Sequence, residues 1–258
     1  MIYYLGIDIG GTKIKAVRMR DFLHAPEKYI SLDTPKNKKT LEVALEQIIT
    51  SFSGKNARGI AVGLPGIIDT KQGVLIKAPN LSFLDGWNVI EFFKKFNPTI
   101  KIDNDSRCFL RSEMMLGAGK NYSQIVAVTI GTGIGGGIAV NKKIIYGAHN
   151  SAGEFGHVII DDGKTWENLG GKKAYENSGD CSKIIGIGVA NIINALDPEI
   201  VILGGGGVTS SAVKIVAVKK TAEKYILSPR AQKTPIVKGK LGEYAQAMGA
   251  TLLFRTDA

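Results

Sequence analysis

The sequence predicts an α/β protein built as two similar halves. Three observations carry this. Short apolar runs of strand character alternate with helical segments along the chain. Each half opens with strand, glycine turn and strand, around Gly10-Gly11 in the first and Gly131 to Gly137 in the second. The 258 residues suffice for one large domain or two of ordinary size.

The elements follow in order. Ile2 to Ile9 is aliphatic and aromatic and reads as a strand, broken by Gly10-Gly11-Thr12. In Ile14 to Met19 apolar and basic residues alternate, as in a strand with one buried face. Lys28 to Leu32 is an edge-like third strand. Leu41, Leu45, Ile48, Ile49 and Phe52 have the spacing of an amphipathic helix over Thr40 to Phe52. Gly59 to Leu64 and Thr99 to Ile102 read as buried strands, and Ser106 to Leu116 as a helix stopped by Gly117. In the second half, Ile125 to Ile130 is a strand, Gly131 to Gly137 a turn, and Ile138 to Val140 with Ile144-Ile145 further strand. Cys181 to Leu196 is a helix in which Gly186 and Gly188 allow close packing. Ile200 to Leu203 is a strand, Gly204 to Gly207 a loop, and Ser210 to Ile226 a helix. Gly242 to Leu253 reads as a small-residue helix that packs back on the first half. The expected domains are therefore 1–105 with 243–258, and 106–242.

Composition removes several classes. The chain is 44% hydrophobic and 22% charged, as in a globular protein. Two cysteines, Cys108 and Cys181, exclude a disulfide scaffold and a multi-cysteine zinc site. Met1 to Gly11 lacks a basic n-region and is interrupted by Asp8, which argues against a signal peptide. No uncharged apolar run approaches the ~20 residues of a membrane span. A cytoplasmic protein without membrane partners is expected. A net charge of +10 points to an anionic partner or to a plain solvated basic surface.

Glycine stands out: 32 of 258 residues, about 12% against the usual ~7%. Three clusters, at 10–11, 131–137 and 204–207, hold eleven of them. Glycine turns let backbone N–H groups face an anion with no Cβ in the way. Gly131, Gly133 and Gly136 satisfy GxGxxG, but a dinucleotide site needs a helix after the loop, and a strand follows. No Gly-Lys-Ser/Thr phosphate loop exists. Plain β-hairpins would account for the first two turns, but Asp8, Thr12, Lys13 and Thr132 set phosphate and metal chemistry beside them.

The run Gly6-Ile-Asp-Ile-Gly-Gly-Thr-Lys13 resembles the first phosphate loop of the ROK family, named for its repressors, open reading frames and sugar kinases. Further signatures occur in order. They are Gly63-Leu-Pro-Gly66 with Asp69, Ala78-Pro-Asn80-Leu81, Asn104-Asp105, Gly131 to Gly137, Gly153-Glu154-Phe155-Gly156-His157, and Ile202-Leu203-Gly204-Gly205-Gly206. The resemblance covers nearly the whole chain. It implies two actin-like (ribonuclease H-like) domains flanking a catalytic cleft, and a homodimer.

The resemblance also implies a hexokinase, glucokinase-like in the first instance, that moves the γ-phosphate of ATP to the 6-hydroxyl of a sugar. Such a hydroxyl needs a carboxylate to accept its proton. Asp105, held between a strand and a helix, suits that role, although Asp at this point also suits a helix N-cap. Asp8 suits Mg²⁺, directly or through water. The phosphate-binding candidates are Gly10, Gly11, Thr12, Lys13, Gly131, Thr132, Gly133, Gly204, Gly205 and Gly206. Lys13 could equally be an exposed hairpin lysine.

The sugar-binding candidates are Asn80, Asn104, Asp105, Glu154, His157 and Glu167. The sequence departs from the family after His157, where the family's CGxxGCxE zinc loop is missing. With one His and no thiolates there, no zinc is expected. Glu167 best matches the glutamate that ends that loop, with Lys173 as the other register. Polyphosphate is the alternative donor, since related polyphosphate glucokinases also lack the loop. N-Acetylmannosamine and fructose are alternative sugars, and a non-catalytic sugar sensor is the alternative class. The first phosphate loop begins within ten residues of Met1, which argues against a preceding DNA-binding helix-turn-helix and against DNA as a partner.

Overall fold

The computed structural model describes residues 3–22, 24–52, 57–96 and 99–255. Ile2, where the sequence reading starts its first strand, lies outside them, as do residues 256–258 of the last expected segment. The chain divides into two units, Met1–Ser112 with Tyr244–Ala258, and Glu113–Glu243.

The first unit is built on strands β1 (Tyr3–Ile9), β2 (Lys13–Met19), β3 (Lys28–Asp33), β4 (Ala57–Leu64) and β8 (Thr99–Asn104). They form one sheet in the order β3-β2-β1-β4-β8. β1, β2 and β3 pair antiparallel, and β1, β4 and β8 run parallel. Helix α1 (Lys38–Ser51) starts two residues before its apolar period because the Asn37 side chain accepts the Thr40 N–H and caps it. Its buried face, Leu41, Leu45, Ile48 and Ile49, joins Leu5, Ile7, Ile9 and Ile14 in one core. A second helix, Ala245–Thr251, packs on the same sheet through small residues. A Cβ at Gly6 would strike the Ala247 carbonyl, and one at Gly249 the Cys108 carbonyl. Between β4 and β8 lies a small sheet that the apolar pattern does not announce, of β5 (Ile67–Asp69), β6 (Val74–Lys77) and β7 (Trp87–Asn88), followed by α2 (Val89–Lys94). Helix α3 (Asp105–Leu116) follows β8 directly.

The second unit repeats the plan. Strands β9 (Ile125–Ile130), β10 (Ile134–Val140), β11 (Lys143–Ile144), β14 (Ile200–Gly204) and β15 (Ile236–Lys238) are ordered β11-β10-β9-β14-β15. The first three pair antiparallel, and β14 runs parallel to β9 and to β15. Order and sense match the first sheet strand for strand. Gly135, Gly136 and Gly137 belong to β10 rather than to a turn. Close packing accounts for Gly136, where a Cβ would meet the Phe155 ring and the Gly153 carbonyl.

Hairpin β12 (Ile159–Asp161) and β13 (Lys164–Thr165) leads to the short helices α4 (Trp166–Gly170) and α5 (Lys172–Ser178). In α6 (Ser182–Leu196), Gly186 faces Thr221 and Val218, and Gly188 faces the Trp166 ring, so both glycines do permit close approach. Two further expectations fail. Gly206–Thr209 is a short helix, α7, not loop. Helix α8 spans only Ile215–Ala222, because Ser211 turns into the left-handed region at φ 64° and the Lys214 N–H goes to the Ser182 hydroxyl. Among the described residues no helix is long and apolar enough to cross a membrane.

Candidate functional site

In the first unit, the parallel strands β1, β4 and β8 end along one edge of the sheet. Register sets Asp8 beside Gly63, and Gly63 beside Asp103. Asn104 caps α3: its Oδ1 accepts the N–H groups of Ser106 (2.9 Å) and Arg107 (3.2 Å). Its Nδ2 donates to the Gly66 carbonyl at 3.1 Å. The capping role that the sequence leaves open for Asp105 is thus taken by Asn104. Asp105 is the first helical residue, and its Oδ1 accepts the Ser106 N–H at 2.7 Å.

Asp8 faces this helix start. A Cβ on Gly63 would lie 3.7 Å from Asp8 Oδ1 and 3.6 Å from Asp105 Cα, so the missing side chain keeps space between the two acids. Asp8 is 7% exposed and its Oδ1 has no hydrogen-bond partner. Burial first, then the Asp105 charge, push its carboxyl up to about 8, against a lowering pull from Lys15. A buried carboxylate oxygen without a partner is costly in itself. A divalent cation would satisfy it, and a carboxylate oxygen is donor chemistry that fits Mg²⁺. Among the described residues no group of three or more His, Cys, Asp or Glu side chains could hold a metal.

Asn80 lies exposed in the turn after β6. That turn is fixed by Asp85, which accepts the Ala78 N–H at 2.8 Å and pairs with the Lys77 ammonium at 2.6 Å. Both contacts hold the Asp85 carboxyl below its usual range. Gly66, at φ 84°, passes so close to the Lys77 carbonyl that a Cβ would collide with it. Gly66 therefore links the Asn80 turn to Asn104.

The first glycine turn is closed by Gly10 N–H to the Lys13 carbonyl, 3.0 Å. Thr34 braces it from β3's end: its N–H donates to the Thr12 carbonyl and its hydroxyl to the Gly10 carbonyl. The Lys13 ammonium pairs with Asp33 at 2.8 Å, so the structure gives it a carboxylate partner on the neighbouring strand. That pairing lowers the Asp33 pKa.

In the second unit, the Gly131-Thr132-Gly133 turn and the Gly204-Gly205-Gly206 segment come together. Gly205, at φ 90°, leaves no room for a Cβ against the Ile130 backbone. The 131–133 turn is braced from α4 and α5. Glu167 accepts the Ile134 N–H at 2.8 Å, and the Lys172 N–H donates to the Gly131 carbonyl at 2.9 Å. Glu167 thus stands at the foot of the second glycine turn, a contact that the sequence reading did not foresee. Glu154 and His157 flank a 3₁₀ turn, with His157 Nε2 3.9 Å from Glu154 Oε2 and the imidazole 55% exposed. Gly156 fits against the Ile134 carbonyl where any Cβ would clash.

Sequence reasoning missed one group outright. Asp103 is buried and accepts from Arg107 Nε (2.7 Å) and Arg111 Nη2 (2.9 Å). The signal was present in part, since Arg107 and Arg111 are four apart and so share one face of α3, whereas Asp103 reaches them from the end of β8.

Comparison with known proteins follows the same lines. The sequence model of the ROK family matches residues 4–182 and 165–257. An N-acetylgalactosamine kinase of Shewanella sp. (strain ANA-3) is 28% identical, over 97% of this chain and 96% of its own. A glucokinase of Halalkalibacterium halodurans is 25% identical, over 98% and 95%. In fold, the chain is similar to a ROK family glucokinase from Streptomyces griseus solved with glucose and AMPPNP. The TM-score is 0.86 at 20% identity, over 97% of this chain and 98% of that one.

Proposed function

The chain belongs to the ROK family, and from that premise we propose that it is a sugar kinase that transfers the γ-phosphate of ATP to the 6-hydroxyl of a hexose, glucose first among the candidates. The observation that carries this is that the Asp8 carboxyl and the start of α3 at Asp105 meet across Gly63, close enough for the Asp105 charge to act on Asp8. Asp105, fixed at the start of α3, takes the proton of the attacking hydroxyl. Asn104 is held beside it by its bonds to α3 and to Gly66 and is assigned to sugar hydroxyls. Asn80, Glu154 and His157 are assigned to the sugar as further hydroxyl-reading groups. Glu167 is assigned to the same set because it best matches the glutamate that ends the family's zinc loop, although its contact with Ile134 also ties it to the phosphate turn. Asp8 would hold Mg²⁺, which supplies charge neutralisation at the β- and γ-phosphate oxygens. The turns Gly10 to Lys13, Gly131 to Gly133 and Gly204 to Gly206 are assigned to the nucleotide.

Polyphosphate is the second reading for the donor, and one placement favours it. Lys36, Lys38 and Lys39 stand exposed at the start of α1, just after the Thr34 that braces the first phosphate turn. Cations there oppose the helix dipole, so helix stability does not account for them.

A panel of sugars against both donors tests these readings. Glucose, N-acetylgalactosamine, N-acetylglucosamine, N-acetylmannosamine and fructose are each offered with Mg·ATP or polyphosphate, and the phosphorylated sugar is measured. Sugar 6-phosphate from ATP is expected, with Asp105→Ala lowering turnover at least 10³-fold, an order-of-magnitude figure near the upper range of acid–base contributions. Transfer from polyphosphate but not ATP would replace the donor. Sugar binding without transfer from either donor would leave a sensor rather than a kinase.

A further inference from the structure

We infer that Asp103, Arg107 and Arg111 form a positioning network for Asp105, a role that rests on reading Asp105 as the proton acceptor. The three side chains are nearly sealed from solvent, at 1%, 2% and 4% exposure. Asp103 stands one residue before the end of β8. One of its oxygens accepts both the Asn104 N–H (2.8 Å) and Arg107 Nε (2.7 Å). The other accepts Arg111 Nη2 (2.9 Å), one helical turn further along α3. A single carboxylate therefore fastens the last peptide of the strand to two successive turns of the helix. Asn104 fastens the same junction from the other side, by capping α3 and donating to Gly66. Asp105 sits between these two anchors, with no loop residue to give it play.

Stability is a poor reason for such a network. A buried ion triad replaced by apolar side chains of similar volume is commonly as stable or more so, because desolvating the charges offsets their attraction. What the ions add is direction. Each guanidinium contact fixes an angle as well as a distance, and rotation of α3 about its axis would break Arg107 and Arg111 contacts together. An apolar core would tolerate small rotations of that kind. Phosphoryl transfer would not, since a misplacement of about 1 Å in a reacting group can cost on the order of 100-fold in rate.

The experiment replaces the network in full: Asp103→Leu, Arg107→Met and Arg111→Leu in one protein, with Asp103→Asn as a second variant and Asp105→Asn as the control. Thermal melting, kcat and the KM values for sugar and Mg·ATP are measured for each. The triple variant is expected to melt near the parent, with kcat down roughly 10- to 100-fold and the nucleotide KM within about twofold. A folded triple variant with parental kcat overturns the proposal. If the triple variant does not fold, Asp103→Asn decides. It keeps shape and the Asn104 contact but loses the charge, and parental kcat in it equally overturns the proposal. Asp105→Asn separates the two levels. If it retains turnover, the proton-acceptor reading fails by itself. If it abolishes turnover while the network variants keep theirs, only the positioning role fails.

Discussion

Asp8 is a carboxyl group in a place that disfavours its charge: buried, facing a second carboxylate, with one oxygen unsatisfied. In the metal-free protein this makes Asp8 a pH-dependent liability. Its folded-state pKa of about 8 lies above the unfolded value of 3.8, so between those values the folded state binds the proton and the unfolded state has lost it. Stability is then fully present below about pH 4 and falls as pH rises towards 8, by an amount on the order of a few kcal/mol. Asp8→Asn is expected to flatten that decline, and Mg²⁺ to oppose it in the parent but not in the variant. Denaturant melts from pH 5 to 9, with and without Mg²⁺, measure this; a parent whose melts do not move with pH contradicts it. Motifs single out Asp8, Asn104 and Asp105 in the sequence, and the structure sets all three where β1 and β8 end. Single residues are less legible where the partner is distant in sequence. Lys13 reads as a point charge for phosphate, but its ion pair with Asp33 forms only once β2 and β3 lie side by side.

At the scale of elements, the helix Ala245–Thr251 meets β1 through Gly6, where a Cβ would strike the Ala247 carbonyl and the Thr251 side chain. Gly6→Ala is expected to cost about 1–3 kcal/mol, through forced separation of helix and strand. Equilibrium unfolding in urea measures it, and a loss below about half a kcal/mol, ordinary for a surface site, would show that the helix can shift freely. Elements with a sustained period, β1, β2, α1 and α6, could be read from the sequence. Helices α4 and α5 could not, because five and seven residues are too short to show a helical period. The apolar pattern predicts one helix over Ser210 to Ile226, but the backbone breaks at Ser211 and α8 covers only Ile215–Ala222. The glycines of 135–137 misled in another way. In a strand packed against the Gly153 turn they look, on paper, like a loop.

At the scale of the whole molecule, the two sheets share strand order and strand sense. The repeated strand–glycine turn–strand opening was the visible part of that repeat. The rest was hidden because the intervening segments differ, a three-stranded sheet in one unit and a hairpin with two short helices in the other. The net charge of +10 also belongs to this scale. If long polyphosphate is a donor, its KM should rise steeply with ionic strength between 50 and 300 mM salt, whereas that for Mg·ATP should rise only a few-fold. Initial rates over that salt range measure the difference, and equal slopes for the two donors would remove any role for the basic surface in donor choice.

The return of residues 244–258 to the first unit has a consequence for synthesis. The second unit is continuous in the chain, so a growing polypeptide can complete it as soon as Glu243 clears the ribosome. The first unit, though translated earlier, must wait for Ala245–Thr251 to cover Gly6 and Cys108. The unit whose translation begins first is therefore the one whose residues are complete last. A nascent chain carries the Asp8 strand with one face of its sheet uncovered until Ala245–Thr251 has emerged, which is the interval in which a chaperone would have most to protect.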